Sequence, residues 1–249
     1  MSAPTPSARD ATPFLARTLV LIPALNEAVC IADTVRYWLG RGAGCVRVVD
    51  NASTDNTSSL AAAAGAEVLR EPRRGYGAAC WTGLQNFPAD LDWILFSSAD
   101  GSDHLSPDEA AAWQSAIGSG ADLVMGDRFS ALESRRHLKP VQRFGNRLCC
   151  ALILLGWRAR FRDMASLRLL RRSAFDDMSL EDRGFGWNIE MQVRAVELGL
   201  RWAELPVAYH PRAGGESKIS GSLRGTLRAA RGMLAMTAKL WLRRHRRRR

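Results

Sequence analysis

Short apolar runs alternate with segments of helical spacing through the first half of this chain, and that alternation restricts its possible folds more than any other feature. Thr18–Ala24 (TLVLIPA) reads as a strand and residues 27–40 as a helix. Residues 46–50 read as a second strand, 58–64 as a second helix, 67–69 as a third strand and 76–84 as a third helix. Trp93–Phe96 is a fourth strand, and residues 123–125 a fifth. Between them Ser106-Pro-Asp-Glu109 carries the N-cap serine, first-turn proline and capping-box glutamate that start a helix. Strands separated by helices of this length build right-handed βαβ units. The predicted fold class is therefore α/β, a mostly parallel sheet flanked by helices.

Composition enters through what it excludes. The chain has 249 residues, 47% of them hydrophobic and 24% charged, enough to bury a core without staples. Its five cysteines are odd in number and lack metal-ligand spacing, so they read as small buried hydrophobes in a reducing compartment. Residues 1–17 are rich in Pro, Ser, Thr and Ala and lack the apolar stretch of a secretory signal, and an unstructured lead is expected there. Residues 18–220 are expected to form the main domain and 221–249 a basic amphipathic helix with an arginine tail. Residues 148–157 (LCCALILLGW) are too short to span a bilayer and sit between Arg147 and Arg158, as a buried or interfacial helix would. Six arginines in the last seven residues carry most of the +10 net charge.

In sheets of this class ligands bind beyond the carboxyl ends of strands. Three such ends are polar here: Pro23-Ala24-Leu25-Asn26-Glu27, Asp50-Asn-Ala-Ser-Thr-Asp-Asn-Thr57, and Ser97-Ser-Ala-Asp-Gly-Ser-Asp103. Helix capping accounts for any one of them; three together point to a nucleotide pocket. Asp50 would meet the base, Glu27 and Pro23 the base and ribose, and Asp100 a divalent cation against a diphosphate.

The runs LIPALNE and VVDNASTDNT, followed by an acidic turn after an apolar strand, resemble the inverting GT-A (Rossmann-like) glycosyltransferases of family two. The later motifs are similar to those of the dolichyl- and polyprenyl-phosphate mannose synthase branch: Gly126-Asp-Arg-Phe129, Arg143-Phe-Gly-Asn-Arg147, Arg162-Asp163, GFGWNIEMQ at 184–192 and Arg212-Ala-Gly-Gly-Glu-Ser-Lys218. The resemblance covers residues 18 to about 226, with the motifs in order. It implies donor binding by Pro23, Ala24, Asn26, Glu27, Asp50, Ser53 and Asp100, and metal binding, Mg²⁺ or Mn²⁺, at Asp100. It also implies that Arg128 and Arg143 meet the acceptor phosphate or the diphosphate, while Arg212 and Lys218 close over the diphosphate. One departure stands out. Where the family carries Asp-x-Asp, this chain reads Ser98-Ala99-Asp100. Asp103 or Ser102 would have to stand in, or the metal would bind weakly, or arginines would replace it; a degenerate, inactive site is the remaining alternative.

The implied reaction moves a hexose, from GDP-mannose or UDP-glucose, onto a polyprenyl or dolichyl phosphate. A phosphate acceptor is already anionic and needs no protein base, so catalysis reduces to holding two phosphates together with cations. A family-two enzyme acting on a soluble hydroxyl would instead need a base, with Glu190 or Asp163 as candidates. Residues 222–244 show helical spacing, with Leu223, Leu227, Ala230, Leu234 and Trp241 on one face and basic residues beside it, suited to a lipid interface. The expected location is cytoplasmic, peripheral on the inner face of the cell membrane, with a membrane protein as a possible partner. No nucleic-acid partner is expected: the tail would bind without reading sequence, and no aromatic residues are interleaved with it.

Overall fold

The computed structural model describes residues 12–130, 132–212, 214 and 223–247, and the side chains of all of these except 132, 133, 223–228 and 247. Seven strands form one sheet: β1 (Thr18–Ala24), β2 (Cys45–Asp50), β3 (Glu67–Arg70), β4 (Trp93–Phe96), β5 (Leu123–Asp127), β6 (Arg168–Arg171) and β7 (Trp202–Pro206). Their spatial order is β3-β2-β1-β4-β6-β5-β7. Only β6 runs antiparallel to its neighbours, β4 and β5; the other pairs are parallel. The mostly parallel α/β sheet read from the sequence is present.

The sheet's layering explains its sequence. β1, β4 and β5 are covered on both faces and so are nearly continuous apolar runs, whereas β3 and β7 at the edges are half-exposed and mixed. One face is covered by α1 (Ile31–Gly40) and α4 (Pro107–Gly118), whose Val35, Trp38 and Trp113 meet Val20, Ile22 and Leu95. The other carries α3 (Tyr76–Gly83), α6 (Pro140–Trp157), α7 (Arg172–Met178) and α8 (Trp187–Glu197), with Ile153, Phe175 and Trp187 against Leu21, Ile94 and Phe96. Short helices α2 (Thr57–Ala63) and α5 (Leu132–His137) and the long α9 (Leu223–Arg247) complete the chain. The capping box at Ser106 forms as expected: its hydroxyl accepts from Glu109 N–H at 3.2 Å while the Glu109 carboxylate accepts from Ser106 N–H at 2.6 Å.

One expectation needs correcting. An unstructured lead was expected through Arg17, yet Pro13–Arg17 is a 3-10 turn with Phe14 and Leu15 buried, because those two apolar side chains complete the core beneath α1. The face of α9 that packs on the domain is Ala229, Met236 and Leu240, while Leu234 and Trp241, of the stripe read as suited to a lipid interface, are exposed. Both stripes have helical spacing, and only the neighbouring helices decide which is covered. The cysteines are all free thiols, four of them buried.

Helix α3 lies unusually close to the sheet because Gly83 has no side chain. A Cβ there would sit 2.2 Å from Leu21 Cδ1 and 2.8 Å from Val49 Cγ2. Gly83→Ala should therefore destabilise the protein by about 1–3 kcal/mol. Gly118→Ala, with nothing within 4 Å of its Cβ, should be neutral or slightly stabilising. Thermal unfolding of the two variants checks this; equal melting temperatures would refute the packing argument.

Candidate functional site

The carboxyl ends of β1 to β5 share one edge of the sheet, and register decides what meets there: Ala24 lies opposite Asp50, and Asp50 opposite Arg70. The loops that follow β1 and β2 are stitched together. Asn26, at a φ of 54°, accepts from Thr54 N–H at 2.7 Å through its side-chain oxygen, while its own N–H donates to Ser53 Oγ at 2.9 Å. Glu27 N–H donates to Thr57 Oγ1 at 2.9 Å. Asn26 and Ser53, expected to bind the donor, thus shape the pocket wall. Asp50 accepts from Ser53 N–H at 3.0 Å and Ser58 Oγ at 2.6 Å. Burial pushes its pKa up, but the hydrogen bonds from Ser53 and Ser58 outweigh that and hold the carboxyl below its usual range. It is a fixed anion at the carboxyl end of β2.

Arg212 is the electrostatic centre. Its guanidinium donates to both Glu27 oxygens, at 2.7 and 2.6 Å, and to Asp100 Oδ2 at 2.9 Å. Three residues singled out separately in the sequence, more than 180 positions apart at the extremes, form one ion-paired cluster. Lys218, expected beside Arg212, lies outside the described residues.

The departure at Ser98 has a clear geometry. Ser98 Oγ hydrogen-bonds Ser166 Oγ at 2.9 Å. Asp103 turns inward, accepting from Ser98 N–H at 2.7 Å and Ser166 Oγ at 3.0 Å, and burial raises its pKa. Ser102 donates from its hydroxyl to Asp100 Oδ1 at 2.6 Å. Neither Asp103 nor Ser102 therefore stands in for the missing carboxylate; both support the turn that presents Asp100. Among the described residues no three His, Cys, Asp or Glu side chains are grouped to hold a metal. A lone carboxylate oxygen fits a hard cation that arrives with diphosphate oxygens and water, and does not fit a cage built by protein alone.

The other predicted cations are committed elsewhere. Arg128 makes a two-pronged pair with Asp163, each contact 2.8 Å, and Asp163 also accepts from Arg128 N–H at 2.9 Å. Asp163 is fully buried and cannot serve as a free base. The pair rests against the Tyr209 ring, 5.3 Å from the Arg128 guanidinium carbon. Arg143 donates to the carbonyls of Leu138 (3.0 Å) and Arg135 (2.6 Å), closing the end of α5. Glu190, the second candidate base, accepts from Glu181 N–H and Asp182 N–H at 3.0 and 2.7 Å and holds that loop against α3. Burial raises its pKa.

Sequence reading passed over two groups. The loop after β3, Glu71-Pro-Arg-Arg-Gly75, is fastened beside Asp50 by Asn51, whose amide donates to the Glu71 and Arg73 carbonyls and accepts from Gly75 N–H. It leaves Arg70 and Arg74 exposed at the pocket edge. A pair of arginines before a Gly-x-Gly at a strand end was the available signal. Beneath the site Arg168 is fully buried, donating to the Ala165 and Asn188 carbonyls, and burial lowers its pKa to about 10. One of two arginines in a four-residue strand, RLLR, gave no cue to that role.

With this geometry in view the comparisons are decisive for the family. The glycosyl transferase family 2 model matches residues 19–179. The chain belongs to that family. An uncharacterized glycosyltransferase of Mycobacterium tuberculosis is 38% identical over 219 residues, covering 84% of this chain and 92% of that protein. The undecaprenyl-phosphate mannosyltransferase of Micrococcus luteus is 29% identical, covering 84% of this chain and 90% of its own. Among solved structures, the glucosyl-3-phosphoglycerate synthase of Mycobacterium tuberculosis, crystallised with Mn²⁺, uridine diphosphate and phosphoglyceric acid, superposes with a TM-score of 0.71. It is 19% identical and covers 97% of this chain and 84% of that one, so the shared feature is the GT-A-like fold. The protein is a glycosyltransferase, a hexosyltransferase by its family and relatives.

Glu71 ties the basic loop to the pocket and yields a pH test. Hydrogen bonds from the Arg73 guanidinium, reinforced by the Thr82 hydroxyl, outweigh burial and hold its pKa at about 2 against an ordinary 4.5. A carboxyl lowered on folding contributes stability above its unfolded pKa and loses it as pH falls through the folded value. Glu71→Gln should therefore melt below the parent at pH 7, with the deficit shrinking as pH drops from 4.5 toward 2. A deficit independent of pH in melting curves would refute this.

Proposed function

We propose that this glycosyltransferase moves a hexose from a nucleotide sugar to a polyprenyl phosphate, working from the cytoplasmic face of a membrane as a peripheral protein. The observation that carries the reading is that both candidate bases, Asp163 and Glu190, are spent on structural hydrogen bonds while a guanidinium, Arg212, stands at the pocket. An alcohol acceptor would need a base to take its proton; a phosphate acceptor is an anionic nucleophile already and needs cations to offset its repulsion from the diphosphate. The polyprenyl-phosphate acceptor in the name of the Micrococcus relative points the same way. No helix among the described residues is long and apolar enough to cross a membrane, so the chain would reach its lipid from the surface, aided by α9 and its arginines.

In this reading Asp50 and the loops around Asn26 and Ser53 hold the nucleoside, and Pro23 and Ala24 line its floor. Arg212 releases Glu27 and Asp100 to meet the diphosphate, joined by Lys218. Arg128 acts through Asp163 and Tyr209 by shaping the acceptor side, and Arg143 fixes the helix ends there. A Mg²⁺ or Mn²⁺ ion would be held by Asp100 together with the donor and would supply charge neutralisation of the leaving diphosphate.

Transfer of radiolabelled hexose from GDP-mannose and UDP-glucose to polyprenyl phosphate in vesicles tests the proposal. Label should enter the lipid fraction, and Arg212→Ala should lower kcat/KM by about 10²–10³. Mn²⁺ should bind measurably by calorimetry only when a nucleoside diphosphate is present, and Asp100→Asn should abolish that binding. Labelling of a soluble hydroxyl acceptor with none of the lipid would overturn the acceptor assignment.

A further inference from the structure

Helix α6 carries a second apolar stripe that the site does not use. Val141, Phe144, Leu148 and Leu155 recur at i, i+3, i+7 and i+14, on one side of the helix, and all are exposed, Phe144 at 69% and Leu155 at 80%. The opposite side, Cys149, Cys150, Ile153 and Trp157, is in the core. Large side chains left outside at this spacing are not random surface hydrophobes.

The stripe continues onto α9. Cys149 Sγ lies 3.7 Å from Met233 Sδ, and a Cβ on Gly156 would be 3.3 Å from Trp241 Cδ1, so the helices lie side by side and run the same way. The Arg244 guanidinium locks the pair, donating to the Gly156 carbonyl and lying over the Trp157 ring at 5.9 Å. On the flank of α9 toward α6, Leu234 and Trp241 are about half exposed (45% and 50%). The charge pattern is one-sided: α6 contains two arginines and α9 eight lysines and arginines, and neither contains an aspartate or glutamate.

We propose that the outer stripe of α6 and the adjoining flank of α9 form a single face that seats on a lipid surface bearing anionic headgroups. The inference rests on the polyprenyl-phosphate reading and adds to it α6 as an inserting element and an orientation for the domain. An apolar strip with a tryptophan at its margin and an excess of cations around it, of which among the described residues only Lys239 and Arg243 are paired with a carboxylate, that of Glu181, matches the bilayer interface, where apolar groups sink below the headgroups and cations meet phosphates. A protein-binding patch of this size would be depleted of charge at its centre and would not need eighteen residues of α6 to be free of carboxylates. The inner side of α6 leads to the site: Asn146 accepts from Met164 N–H at 2.7 Å and donates to the Arg162 carbonyl at 2.9 Å, beside the Asp163–Arg128 pair. Seating α6 on the headgroups therefore sets the acceptor side of the site close to the phosphate plane.

The test uses the full chain with vesicles of phosphatidylcholine alone and mixed with phosphatidylglycerol. Wild type should sediment preferentially with the mixed vesicles, and Phe144→Ser with Leu155→Ser should weaken that binding by about tenfold or more with unchanged thermal unfolding. Should the double variant fail to fold, Leu155→Glu alone serves, since that side chain is the most exposed of the stripe. Wild-type-like binding by the folded variant, or a wild-type dimer that the variant dissociates while vesicle binding persists, overturns the proposal. Transfer to detergent-dispersed polyprenyl phosphate separates it from the function: loss of transfer in vesicles but not in detergent supports the seating face. If wild type transfers in neither while its vesicle binding still needs Phe144 and Leu155, the face stands and the acceptor assignment falls.

Discussion

Strand β1 is hydrogen-bonded to β2 on one side and β4 on the other, and that double ladder sets the level at which the loops carrying Glu27, Asp50 and Asp100 leave the sheet. Its register sets Ala24 beside Asp50 and Leu21 beside Phe96, so three loops leave the sheet at nearly the same level. A slip of one residue would turn its apolar side chains to the opposite face of the sheet. Because β1 is buried on both faces, packing against α1 and α3 makes such a slip costly. The loops then lock one another through Asn26, Ser53, Thr54 and Thr57 and are tied to the ends of the strands they follow.

Upon this scaffold the structure manages an excess of buried charge. Glu27, Asp50, Asp100, Asp103 and Asp163 are all buried or nearly so, and each carboxylate removed from water needs compensation. Arg212 supplies it for Glu27 and Asp100, Arg128 for Asp163, serine hydroxyls and N–H groups for Asp50 and Asp103. These pairings differ in consequence. Arg128 and Asp163 form a buried two-pronged pair backed by the Arg128 N–H and make a fixed wall. Arg212 spans two carboxylates and keeps part of its side chain open to solvent, so an incoming anion can compete for it.

The helical layer away from α1 and α4 does two tasks with its two sides. Its inner side fills the core and, through Asn146, Gln192 and Glu190, fastens the loops that carry Asp163 and Asp182. Its outer side, on α6 and α9, is apolar and cationic at once, a combination that water alone does not favour.

The sequence by itself determined the βαβ order, the strands of the parallel half, the capping box at Ser106 and the polar strand ends, because each follows from local periodicity or from side chains bonding nearby backbone. It also singled out Glu27, Asp50, Asp100 and Arg212. Strands β6 and β7 were not legible: RLLR and WAELP are short and carry charges, and Arg168 is tolerated inside because the carbonyls of nearby Ala165 and of Asn188, on α8, accept from it. Partner choice was likewise hidden. That Arg128 is bound by Asp163, that Arg212 bridges two carboxylates, that Asp103 turns inward and that α9 packs by Met236 and Leu240 are decisions of tertiary structure. Each depends on which groups meet across long sequence separations, and neither a residue's type nor its spacing encodes that.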